Sequence, residues 1–171
     1  SAAVDLLNQL LTVESTLTDQ HLLSTCYFSL AQAQLGKPSA KENFRLALGG
    51  AVPLAAANPK IDKFHAMVGR IELELGDIHA QEGNHKEALI ALRAADAVFR
   101  KLVARDPATP EYRHDLITTL QLLAVSENPE AQPLAHLKRL RELLVVLVEQ
   151  HPNMGEFADA ADEAATLINN K

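Results

Sequence analysis

The chain has 171 residues, 47% of them apolar, and a formal charge of −6 at neutral pH. That length admits one ordinary domain or a short repeat array. The acidic, mixed-charge balance speaks against nucleic acid and anionic membranes as partners, the single Cys26 excludes an intramolecular disulfide, and no apolar run reaches the ~18 residues of a membrane span.

Ala and Leu dominate, both good helix formers, and stretches of alternating β-branched and polar residues are missing. The expected class is therefore all-α. Cys26 lies in an apolar stretch and is expected to be a small core residue. No signal peptide is visible, and a cytoplasmic location is expected.

In chain order, Val4, Leu6, Leu7, Leu10 and Leu11 read as the tail of the second helix of an earlier repeat. The array is thus expected to begin mid-repeat, with Glu14-Ser15 at the close of that helix. The first full repeat is the least regular. Its second helix, from about Ala40 to Ala57, holds Gly49, Gly50 and Pro53. Proline there lacks an N–H and crowds the carbonyl of Gly49, so a kink or break is expected, with a small-ligand pocket as one use of it. The second repeat is clear. Phe64, Val68, Ile71, Leu75 and Ile78 form one helical stripe, Gly83-Asn84 stops it, and Ala88, Leu89, Leu92, Ala95, Phe99, Leu102 and Val103 form the next. In the third, Tyr112, Leu116, Thr119 and Leu123 take the corresponding places. Pro129 ends that helix early, and Leu134, Leu137, Leu140, Leu144, Leu147 and Val148 follow. Phe157, Ala160, Ala161, Ala164 and Leu167 form a last, capping helix.

One mark punctuates this pattern. Asn58-Pro59, Asp106-Pro107 and His151-Pro152 are each followed by an aromatic five residues after the proline: Phe64, Tyr112 and Phe157. Pro59 and Pro107 are 48 positions apart, and Pro107 and Pro152 are 45 apart. A period in this range, filled at helical spacing, signals a helical repeat array. The divisions fall at 1–14 (partial repeat), 15–58, 59–106, 107–151 and 152–171 (cap), all within one domain. Gln34-Leu35-Gly36 corresponds to Gln81-Glu82-Gly83. Phe28-Ser29, Leu75-Gly76 and Leu123-Ala124 correspond in turn, with Ser29, Gly76 and Ala124 expected where two helices approach closely.

Leu75-Gly76, Gly83, Ala88 and Ala95 resemble the tetratricopeptide repeat, in its long bacterial variety with Asp-Pro before each new first helix. His79 and Glu72 depart from the Tyr and Trp often found at their positions in that family, and the repeats exceed its usual ~34 residues. The resemblance implies a right-handed α-solenoid of antiparallel helix pairs, about three full repeats plus flanking helices. It also implies a concave face lined by first helices. On that face it places Tyr27 and Gln34, with Cys26 and Leu30; Arg70, Glu74, Asp77 and Gln81, with Leu73; and Thr118 and Gln121, with Leu122 and Val125. The Lys and Asn carboxylate clamp of some family members is not recognisable.

The chain holds no His-Glu-x-x-His, cysteine cluster, phosphate loop or Gly-x-Ser-x-Gly elbow. His79 and His85, with Asp77 nearby, flank a turn and read as surface or packed histidines. Glu72 and Glu74 read as solvated acids, and Lys138, Arg139 and Arg141 as an outer face. No cofactor, metal or catalytic residue is expected. The expected role is a non-catalytic scaffold, part of a larger bacterial protein, that binds a peptide or helix. The alternatives are a small-ligand sensor and self-association through Leu140, Leu143, Leu144 and Leu147 with Val145, Val146 and Val148. Nucleic acid and membrane are not expected partners.

Overall fold

The computed structural model describes residues 16–170, and the helix expected around Val4–Leu11 and its close at Glu14-Ser15 lie outside them. Among the described residues there are seven α-helices and no strand: α1 (Leu17–Gln32), α2 (Pro38–Ala57), α3 (Asp62–Gln81), α4 (His85–Arg105), α5 (Pro110–Ser126), α6 (Pro133–Gln150) and α7 (Gly155–Asn169). The chain divides into two compact units, 1–75 and 76–171, with the boundary inside α3. No helix among the described residues is long and apolar enough to cross a membrane.

Local chemistry sets the helix ends. Thr16 begins α1 with a capping box: its hydroxyl accepts from the Asp19 N–H at 3.2 Å, and the Asp19 carboxylate accepts from the Thr16 N–H at 2.9 Å. The Thr16 hydroxyl also donates to the Asp19 carboxylate at 2.7 Å, and this bond, with the backbone one beside it, holds the Asp19 carboxyl below its ordinary value. Pro38, Pro110 and Pro133 each stand in the first turn of a helix, where a missing N–H costs nothing. Gly36 and Gly83, matched by the sequence period, both adopt positive φ, at 82° and 76°. This left-handed geometry lets the chain reverse after a helix. The proline marks also share one geometry. Asn58, Asp106 and His151 close their helices at φ of −129°, −130° and −135° with ψ of 63°, 81° and 64°. Three segments of different sequence thus make the same turn, and Phe64 and Phe157 are buried just beyond two of them.

In the unit 1–75, α1 packs on α2. Phe28 meets Phe44 edge-on at 5.6 Å, and Leu54, Ala55 and Phe64 form a buried cluster with Ile61 and Val68 at its border. His21 stacks obliquely on Phe64 at 5.1 Å. Burial, with the Lys63 charge adding to it, holds the His21 imidazole below its ordinary value. Three expectations change here. Helix α2 runs unbroken through Pro53. Gly49 and Pro53 both face solvent, where water can take the carbonyl that the proline leaves unbonded. Cys26 is half-buried rather than in the core. Ser29 is exposed. The close approach is made instead by Gly50, where an added Cβ would lie 2.5 Å from Ser24 Oγ.

In the unit 76–171, α4 packs on α5, and α6 packs on both α5 and α7. Ala88, Leu92, Ala95, Phe99, Leu102 and Val103 of α4 are all at least 98% buried. Gly76 is needed where it stands: a Cβ there would meet Leu92 Cγ at 2.6 Å and Cδ2 at 2.7 Å. Ala124 is 3% exposed, small as expected. Leu144 and Leu147 anchor α6, and Phe157, Ala161 and Ala164 anchor α7.

Candidate functional site

A trough of about 750 Å³ opens within the unit 76–171. Helix α5 forms one wall with His114, Thr118, Gln121 and Val125, at successive steps of four, three and four residues. Helix α7 forms the other with Glu156, Asp159, Glu163 and Leu167, at steps of three, four and four. Leu137, Leu140 and Leu144 of α6 make the floor. Each set lies on one helical stripe, because residues three and four apart share a face. From Glu156 to Leu167 the wall runs about 16 Å at the rise of an α-helix.

The floor is apolar but incompletely covered. Leu144 is fully buried, whereas Leu137 and Leu140 are half-buried. The rims add two exposed hydrophobics, Val125 at 44% and Leu167 at 46%. Ala160 and Ala164 keep the α7 wall low between its acids.

The trough's charge has one sign. Its lining contains three carboxylates and no Lys or Arg. One carboxylate is neutralised at the end of the trough. Arg113 Nε and Nη2 donate to the two oxygens of Glu156, the second at 2.9 Å, while Nη1 donates to the Pro107 carbonyl. This fork ties the first turns of α5 and α7 together. It holds the Glu156 carboxyl below its ordinary value and the Arg113 guanidinium above its own. Asp159 and Glu163 are exposed and leave a net negative wall. His114 and His136 also line the trough; the His136 Nε2 is 2.8 Å from the Asn128 carbonyl, which fixes that ring to the α5–α6 turn.

The basic cluster of α6 lies apart from this wall. Arg139 donates to Glu127 at 2.6 Å and to Glu142 at 3.2 Å, bonds that raise its pKa and brace the turn. Lys138 and Arg141 line a separate cleft of about 410 Å³ with Glu142 and three α7 residues.

Of the residues expected to meet a partner, Thr118 and Gln121 line the trough together. In the unit 1–75, Gln34 accepts from Asn43 at 2.9 Å and Glu74 accepts from Gln32 at 3.3 Å; Tyr27 and Arg70 are half-buried. Gln81 donates to Asp77 at 2.8 Å, four residues back on the same helix. Glu72 is half-buried rather than fully solvated, and burial raises its carboxyl. Among the described residues no group of three or more His, Cys, Asp or Glu is placed to hold a metal. The expected concave face includes no residue of α6 or α7, although Leu140 and Leu144 of the floor belong to the stripe named for self-association. The signal was present in the acids at 156, 159 and 163, interleaved with small Ala160 and Ala164.

No family model matches the chain, and no curated protein and no solved structure matches it.

Proposed function

We propose that this chain is a tetratricopeptide-type scaffold, a right-handed array of helix pairs, that docks a helical segment of another protein in the trough between α5 and α7. The observation that carries this reading is the trough itself: two helical walls over a half-covered leucine floor. Such a surface suits the apolar face of an amphipathic helix. An extended peptide would need partners for its own backbone N–H and C=O groups. The trough offers mainly aliphatic side chains and carboxylates, whereas a helix brings its backbone bonds with it.

Two further readings have less support. The small-ligand reading was tied to Gly49–Pro53, but Gly50 is pressed against Ser24 and the trough draws no residue from that stretch. Self-association through α6 loses surface because Leu144 and Leu147 are buried and α7 packs on this helix.

The test is a photo-crosslinker placed at Gln121 in the trough and, separately, at Ile90, which is 63% exposed on α4. The proposal expects a discrete protein adduct from position 121 and none from position 90. Equal labelling from both positions, or none from 121, would contradict it.

A further inference from the structure

The trough's charge narrows the class of its occupant, on the premise that the trough docks a helix. We propose that the segment it receives is a cationic amphipathic helix: a leucine-like stripe seated on Leu137 and Leu140, flanked by Lys or Arg that pair with Asp159 and Glu163. Three features converge on this.

The first is sign. The lining has three carboxylates and neither lysine nor arginine, and Arg113 neutralises only Glu156. A bound acidic segment would meet two uncompensated carboxylates in a partly desolvated groove, where like charges repel more strongly than in water.

The second is spacing. Asp159 and Glu163 are four residues apart on one helix, so their carboxylates stand one turn apart along the wall. A helix lying along the trough presents side chains with the same repeat, and basic residues three or four apart on its flank face both acids.

The third is asymmetry. The opposite wall carries His114, Thr118 and Gln121, hydrogen-bonding groups with no carboxylate among them. The charge requirement therefore falls on one flank of the incoming helix, which fixes its rotation about its own axis. The apolar floor supplies contact area and the α7 acids supply selectivity.

The test uses the whole chain and two labelled helical peptides of about four turns, read by fluorescence anisotropy. Both carry Leu at positions i, i+3, i+4 and i+7. One has Lys on the flanking positions and the other has Glu. The Lys peptide is expected to bind about tenfold more tightly than the Glu peptide at moderate salt, a preference that shrinks as salt rises. Asp159→Asn with Glu163→Gln removes the preference. Asp159→Lys with Glu163→Lys inverts it, an outcome that mere loss of structure cannot produce. Thr118→Arg, which places a long side chain in the trough, weakens both peptides, and circular dichroism checks that each variant remains folded.

Equal affinity for the two peptides, or a preference untouched by the α7 substitutions, overturns the charge assignment. Binding of the Glu peptide that Thr118→Arg blocks overturns the sign while leaving the trough as a helix dock. Peptide binding indifferent to Thr118→Arg overturns both. Dodecyltrimethylammonium binding that Thr118→Arg blocks, with no binding of either peptide, replaces the helix with a small cationic amphiphile.

Discussion

Helices α4 and α6 each carry a long apolar stripe, yet only α4 has that stripe closed. On α4 the stripe from Ala88 to Val103 is buried almost throughout, and Gly76 lets Leu92 press against α3. On α6 only Leu144 and Leu147 are buried, while Leu137 and Leu140 floor an open trough. A closed stripe is fully accounted for by folding. A half-covered stripe, rimmed by groups of one charge, leaves apolar area that a partner can still remove from water.

The same truncation in both helices is expected to have very different costs. Leu92→Ala, at a fully buried site, is expected to cost about 2–5 kcal/mol. Leu140→Ala, at the half-covered floor, is expected to cost roughly 1 kcal/mol, about half the value of a fully buried leucine. Urea unfolding of the two variants decides it, and equal losses would mean that the floor is as tightly packed as the α4 core.

Adding bulk tests the same contrast from the other side. Gly76→Val places a Cβ inside contact distance of Leu92 and is expected to cost about 1–3 kcal/mol. Ala160→Val, on the half-buried trough wall, is expected to stay within about 0.5 kcal/mol of the parent. Thermal unfolding of the pair measures the difference.

Charge sharpens it further, because two carboxylates are shifted in opposite directions. Burial raises Glu72, so the folded chain holds that proton more tightly than the unfolded chain does. Its ionised form therefore costs stability at neutral pH, and the cost is relieved as pH falls through the raised value towards the ordinary 4.5. Glu72→Gln should gain up to about 1 kcal/mol at pH 7, a gain that vanishes in acid. Glu156 is the reverse case. Arg113 depresses its pKa, so its contribution is full above 4.5 and is lost as pH falls through the lower folded value. The pair is solvent-exposed on the Glu156 side, so Glu156→Gln should cost only about 0.5 kcal/mol at pH 7. Urea titrations of both variants across the acid range check the two signs.

The sequence carried the helices because their stripes, glycines and prolines act locally. The three proline marks are legible for that reason, and their shared backbone geometry follows from the same residue-before-proline constraint. Gly76 was readable as a close approach, but its counterpart was not. Ser29 is exposed and Gly50 takes the contact, because α2 continues through Pro53 on its solvent side and keeps Gly50 against Ser24. The trough was half legible. Thr118 and Gln121 are positions that the repeat resemblance placed on one shared face. Leu137 and Leu140 read as part of a helix stripe, Leu140 also as part of a self-association surface, and Asp159 and Glu163 drew no reading. Only the spacing between α5 and α7, set by packing on α6, brings them into one site.

A methyl and amide NMR titration of the whole chain with the lysine-flanked helical peptide locates the docking surface residue by residue. Saturable shifts are expected at Ile117, Thr118, Gln121, Leu137, Leu140 and Leu167, with the α4 core around Leu92 and Phe99 unmoved. Shifts spread evenly over the chain, or centred away from the trough, would contradict docking in the trough.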